Sequence, residues 1–163
     1  MSLFLIILAA GDGKRLKSNS PKPFHMVNNK SLLEYSFNAF KNFNEIKRTI
    51  IVYKKKHKKH LNKLRLKNVL KVEGGNTRQE SAFKALKRIR RMNCKKVLIH
   101  DAARPNPSKD LVNKIIYNLK KNHAVVPVIK INDATKRVQG NVIFKNITRN
   151  SLRFAQTPQG FTF

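Results

Sequence analysis

Five apolar runs of strand length divide the chain, and amphipathic segments fill the spaces between them. The first, Leu3 to Ala10, is unbroken and stops at Gly11. Thr49 to Tyr53 is β-branched and aromatic, and Val69 to Val72, Val97 to Ile99 and Ala124 to Ile129 follow. Runs without polar alternation predict strands of a parallel sheet buried on both faces. The N-terminal run also resembles a short signal peptide, but it lacks the positive leading segment. A buried first strand is the reading adopted.

Between the runs the apolar period changes to that of helices. Ser31-Leu-Leu-Glu34 fits a capping box, and Leu32, Leu33, Phe37, Phe40 and Phe43 continue it at helical spacing as core positions. Thr77 and Glu80 fit a second box, leading to Ala82, Phe83, Ala85, Leu86 and Ile89. Ser108 is a candidate N-cap for Leu111, Ile115, Ile116 and Leu119. Lys54 to Lys63 is a basic helix or loop. After the fifth run the pattern changes again: Thr135 to Val138, Gln139-Gly140-Asn141 and Val142 to Lys145 read as an exposed hairpin. An exposed hairpin invites strand addition from a second subunit.

Strands alternating with helices predict an α/β fold. The expected form is a Rossmann-like three-layer sandwich: a mostly parallel sheet, helices on both faces and a protruding β-hairpin arm. Residues 1–163 are expected to form a single domain with the arm at 133–149.

Composition changes this picture in two ways. Lys+Arg number 36 against 8 Asp+Glu, a net charge of +28, which predicts affinity for polyanions. The lysines are dispersed, and the densest run, Lys54 to Lys63, holds no aromatic on which bases could stack. An enzyme of phosphorylated substrates and a nucleic-acid-binding domain both remain open; nucleic acid is expected to bind only non-specifically. The single cysteine, Cys94, forms no internal disulfide and suits a reducing, cytoplasmic setting. No apolar run approaches the ~20 residues of a membrane helix. His57 and His60 stand three residues apart, but no cysteine or carboxylate near them in sequence completes a metal site.

Three stretches carry the candidate chemistry. Gly11-Asp12-Gly13 follows the first strand and precedes Lys14, Arg15, Pro21 and Lys22. Glycines there expose backbone N–H groups to an anion, and the cations add charge; an ordinary strand–loop with a basic tail is the alternative. The loop lacks the hydroxyl of a Walker A motif and the third glycine of a dinucleotide fingerprint. Gly74-Gly75 leads into the capped turn Asn76 to Ser81, again an anion-facing geometry or a plain turn. Asp101 lies at the carboxyl end of the fourth strand, where ligands bind in α/β sheets, beside Ala102, Ala103 and Arg104. A carboxylate with phosphate oxygens suits Mg²⁺, and a structural Asp101–Arg104 pair is the alternative.

Taken together, AAGDGKR with PK, GGNTRQES, HDAARP, the arm from Asp133 to Lys136, and TRNSL with QTPQ resemble the 2-C-methyl-D-erythritol 4-phosphate cytidylyltransferases of the non-mevalonate isoprenoid pathway. The motifs occur in the family's order over essentially the whole chain. The resemblance implies that a phosphate oxygen of methylerythritol phosphate attacks the α-phosphorus of CTP and that pyrophosphate leaves. It implies Arg15 and Lys22 as catalytic residues on the triphosphate. It implies Ala9, Ala10, Gly11, Gly13, Gly75, Asn76, Ser81, Asp101 and Ala102 as nucleotide contacts. Arg104, Thr135, Arg149 and Thr157 would hold methylerythritol phosphate, and Asp101 a Mg²⁺ or other divalent ion. A homodimer through the arm is implied, with composite substrate sites.

The chain departs from the family pattern at Asn76, where an acid is frequent, at Pro23 in place of a usual Gln, and at Asp133-Ala134-Thr135 in the arm. The family continues beyond the position of Phe163, so a fragment, or part of a fusion with a later pathway enzyme, is expected.

Overall fold

The first apolar run is the axis of the sheet. The computed structural model describes residues 2–13 and 20–163, and β1 (Leu3–Ala9) is buried along almost its whole length. It pairs in parallel on one side with β4 (Ile46–Tyr53) and on the other with β6 (Lys96–Asp101). β2 (Met26–Val27) and β3 (Lys30–Ser31) form a small ribbon between β1 and β4 in sequence. β5 (Val69–Glu73) adds to β4, also in parallel.

The other side of β6 departs from expectation. β12 (Gln159–Thr162) pairs with β6 antiparallel, and β7 (Ala124–Val125) pairs with β12. The sheet order is β5-β4-β1-β6-β12-β7: four parallel strands, then β12 running against them and β7 antiparallel to β12. The single fifth strand expected over Ala124 to Ile129 is two: after β7 the chain breaks at Val126-Pro127, and β8 (Val128–Lys130) pairs instead with β11 (Arg153–Ala155). Proline has no N–H for a ladder, which ends the first strand there.

Helices cover both faces. α1 (Leu32–Ala39), α2 (Lys58–Lys63) and α4 (Lys109–Asn118) pack on the face that carries Leu3, Leu5 and Ile7, through Leu33, Leu61, Val112, Ile115 and Ile116. α3 (Arg78–Ile89) lies on the opposite face over Phe4 and Ile6, through Ala85 and Ile89. The odd–even split along β1 follows from the two-residue period of a strand.

Local signals set the helix starts. Ser31 and Glu34 form the reciprocal capping box, with Ser31 N–H donating to Glu34 Oε2 at 2.8 Å and Glu34 N–H to Ser31 Oγ at 3.2 Å. α1 is shorter than its apolar spacing suggests: it ends before Phe40, and Phe40 and Phe43 enter the core from the following turn. The second box is half formed: Thr77 Oγ1 accepts from Glu80 N–H, but the Glu80 carboxylate reaches Asn76 N–H. Ser108 caps α4 by accepting from Leu111 N–H.

The arm is β9 (Thr135–Gln139) against β10 (Val142–Ile147), turning at Gly140 with a φ of +57°. Val138, Val142, Ile143 and Phe144 on it are all exposed. Cys94 is buried, and burial pushes its thiol up to about 11, so it stays protonated. Among the described residues no helix is long and apolar enough to cross a membrane.

Candidate active site

The loops that follow β1, β5 and β6 meet at one end of the sheet. They enclose a cleft of about 370 Å³. Its charged lining among the described residues is Lys22, Arg78, Arg104 and Asp101, three cations and one carboxylate.

Close packing between the first two loops shapes the floor. A Cβ on Gly74 would lie 2.8 Å from Ser81 Oγ, 2.9 Å from Ala10 Cβ and 3.0 Å from Val52 Cγ1. Only a residue without a side chain lets the small Ala10 and Ser81 meet there. Ser81 Oγ in turn accepts from Gly75 N–H at 3.1 Å, which ties the turn to the first turn of α3. The N-terminus of α3 thus faces the cleft beside Asn76 and Thr77, adding the partial positive charge of a helix start.

Asp101 closes the opposite wall. Its Oδ1 accepts from Arg78 Nε at 3.0 Å, and its Oδ2 lies 3.5 Å from Arg104 Nε. The Asp101–Arg104 pair that stood as the alternative reading is present, and Arg78 makes the closer contact. Arg104 also donates to Gln156 Oε1, joining the cleft to the segment before β12. A second hollow opens beyond Arg104, lined by His100, Pro105, Leu111 and Thr157 among others. Among the described residues, Thr157 Oγ1 and His100 Nδ1 are buried there without hydrogen-bond partners. His100 is wholly buried, with Nε2 2.8 Å from the Arg104 carbonyl and its ring edge-on to Phe40; burial pushes its pKa down to about 4.

Of the residues singled out from sequence, Lys22, Ala10, Gly11, Gly13, Gly75, Asn76, Ser81, Asp101 and Arg104 line this one cleft. Ala9 and Ala102 do not: both have 0% exposure and pack in the core. Ala102 serves the wall through its backbone, donating its N–H to the Leu8 carbonyl and accepting from Ser36 Oγ. Thr157 borders the adjoining hollow. Thr135 and Arg149 lie at the base of the arm, where Arg149 Nη1 donates to the Asn132 carbonyl at 2.7 Å and lines a separate hollow with Lys130 and Arg153. Arg15 lies outside the described residues.

Arg78 was given no role in the sequence reading. Its place in the first turn after the double glycine was the available signal. Asp12 was also passed over, and the structure puts it beside His57, Lys54 and Lys56. His57 and His60 are not arranged as a metal pair: both rings pack on Phe24, and the described residues contain no group of three potential metal ligands.

The family model of 2-C-methyl-D-erythritol 4-phosphate cytidylyltransferase, IspD, matches residues 3–163. The chain belongs to the IspD family. A bifunctional IspD/IspF enzyme of Pelagibacter ubique is 44% identical over 163 residues, which is all of this chain and 44% of that protein. The 2-C-methyl-D-erythritol 4-phosphate cytidylyltransferase of Clostridioides difficile is 32% identical over 98% of this chain and 69% of its own length. Among solved structures, the bifunctional IspDF of Campylobacter jejuni matches with a TM-score of 0.84 and 30% identity, covering 99% of this chain and 41% of that one. The synthase of Anaerococcus prevotii matches with a TM-score of 0.79, over 98% of this chain and 70% of its own. The chain thus spans less than half of the bifunctional relatives and about 70% of the single-function ones. The IspD fold accounts for the mixed sheet found here, with its central strands parallel.

Proposed function

We propose that this chain carries the cytidylyl-transfer site of an IspD enzyme, joining CTP to 2-C-methyl-D-erythritol 4-phosphate with release of pyrophosphate. The observation that carries this reading is the meeting of the three motif loops in one cleft, with Lys22, Arg78 and Arg104 turned into it. The small residues Ala10, Gly75 and Ser81 leave a shallow floor on which a pyrimidine packs against backbone. Lys22, with Arg15 seven residues before it in sequence, neutralises the triphosphate and the charge that develops at the α-phosphorus. The attacking group is a phosphate oxygen, already anionic, so no general base is required; the residues act by placement and charge.

Asp101 is the residue that would hold a divalent cation. One carboxylate plus substrate phosphates is a donor set that suits Mg²⁺. When bound, the ion would screen the phosphate charge and favour departure of pyrophosphate. Asp101 Oδ1 accepts from Arg78 and its Oδ2 lies 3.5 Å from Arg104, and each oxygen keeps a lone pair that could meet the ion. The guanidinium N–H groups of both arginines that are not turned to Asp101 would meet phosphate or substrate oxygens.

Methylerythritol phosphate is assigned to the side of the cleft beyond Arg104, toward Thr157. Arg149 and Thr135 on the arm would complete that site in a second subunit, the exposed apolar face of the arm packing against it. The family match does not favour a nucleic-acid-binding domain, and the +28 charge is read as a general attraction for anions.

Nucleotide choice tests the assignment. With Mg²⁺ present, CTP is expected to raise the melting temperature more than ATP or GTP. Equal shifts from all three would mean that only phosphates are read and that the cytidine assignment is wrong.

A further inference from the structure

An acid inside a phosphate-binding loop works against its ligand, and Asp12 stands between the two glycines of this one. In the structure its carboxylate is held by the segment that follows β4. Oδ2 accepts from Lys54 Nζ at 2.8 Å; Oδ1 is ion-paired with Lys56 Nζ at 2.9 Å and lies 3.4 Å from His57 Nε2. The Asp12 side chain is 24% exposed and that of Lys54 29%, so the contact is partly shielded from solvent. Hydrogen bonding to Lys54 and Lys56 lowers the Asp12 pKa to about 2, so the group is ionised throughout the working range.

The same segment touches the other limb of the loop. His57 is 4% exposed and packs edge-on against Phe24, two residues after Lys22, with ring centroids 5.8 Å apart. Lys54 to His57 therefore grips the glycine-rich loop at both ends, Asp12 where it leaves β1 and Phe24 where it returns. Between those grips lie Gly13 and Lys22, which line the cleft.

We propose that Lys54, supported by Lys56 and His57, is a positioning residue for the triphosphate site: it neutralises Asp12 and pins the two described limbs of the loop so that Gly13 and Lys22 face the phosphates. The proposal rests on reading the cleft as a nucleotide site. Lys54 also borders a hollow that shares Gly75 and Asn76 with the cleft, so direct contact between its ammonium and the nucleotide is the rival role.

A double-mutant cycle separates the two. CTP and, separately, inorganic tripolyphosphate are titrated by calorimetry into the full-length protein and its Lys54→Met, Asp12→Asn and double variants, well below each melting temperature. Lys54→Met leaves Asp12 beside the phosphates with Lys56 as its one remaining lysine partner among the described residues, so binding should weaken about tenfold. In the double variant both charges are gone, and affinity should return to within about twofold of Asp12→Asn alone. Lys54→Arg keeps the ion pair and should bind as wild type does. A merely structural Lys54 would lower the melting temperature and leave the dissociation constants alone, which overturns the proposal. So does a Lys54→Met loss that persists at full size in the Asp12→Asn background, because Lys54 would then be touching the ligand. Should Lys54→Met not fold, Lys56→Met carries the same cycle with a smaller expected loss, and no loss there overturns the proposal. Wild type that binds tripolyphosphate but not CTP sinks the nucleotide reading alone, while the tripolyphosphate cycle still decides the role of Lys54.

Discussion

A Cβ atom on Gly13 would lie 2.5 Å from Lys22 Cβ and 3.0 Å from Lys22 N. The outgoing and returning limbs of the glycine-rich loop are thus in direct contact, and Gly13 also has a φ of +64°. Two separate physical demands fall on one residue: a backbone conformation that side chains resist, and room for the base of the lysine that lines the cleft.

Gly13→Ala should therefore do two things at once. The left-handed conformation costs stability by ~1 kcal/mol. The displaced Lys22 should also lower turnover, by tenfold or more. Gly140→Ala is the matched control, since Gly140 has a similar φ of +57° but nothing within 4 Å of its Cβ position. It should lose a similar amount of stability and leave CTP binding unchanged. Urea denaturation and CTP titration of the two variants check this. Normal turnover in Gly13→Ala would show that the Gly13–Lys22 contact does not matter to the site.

Lys22→Ala should cut turnover while leaving the fold intact. Loss of one charge-stabilising contact typically costs ~3 kcal/mol in the transition state, a hundredfold or more in rate. Arg15→Ala is expected to behave alike. Steady-state assays with thermal melts decide between this and a structural loop, for which rate would follow stability.

The arm should drive self-association. Phe144 and Val142 are 65% and 70% exposed on a two-stranded hairpin, an arrangement that is marginal in water without a partner. A Phe144→Ser, Val142→Ser pair should shift sedimentation toward the monomer and lower turnover with methylerythritol phosphate more than CTP binding. A double variant that sediments as wild type does would remove the arm from the interface.

Acid should destabilise the fold through His100. Its pKa is about 4 in the folded state because it is buried, against 6.5 for the free side chain. The unfolded chain takes up a proton that the folded chain refuses, so stability falls as pH drops from about 6.5 to about 4, by up to ~3 kcal/mol. His57 is shifted in the same direction by burial and adds to the trend. His100→Gln should flatten the dependence of the urea midpoint on pH across that window. An unchanged slope would mean that His100 is not the group responsible.

Much of the parallel half of this protein is legible in the chain itself. An apolar run such as Leu3–Ala9 has nowhere to lie but between two covered faces. Ser31 with Glu34, Thr77 and Ser108 mark helix starts, because the N–H groups they satisfy are local to the turn. The three motif loops were likewise placed by their position after strands. What tertiary structure alone decided involves partners distant in sequence. β12 is four residues with a glycine and no alternation, and it becomes a strand because β6 and β7 lie on either side of it. Gly160 suits that place: a Cβ there would come within 2.5 Å of Leu119 Cδ1. The split of Ala124 to Lys130 follows from which strand each half finds. The pairing of Arg78 with Asp101, across 23 positions, and of Asp12 with Lys54, across 42, depends on the crossovers that bring strand ends together. Local periodicity and capping are written in neighbouring residues; which charge meets which across a cleft is set only when the sheet is assembled.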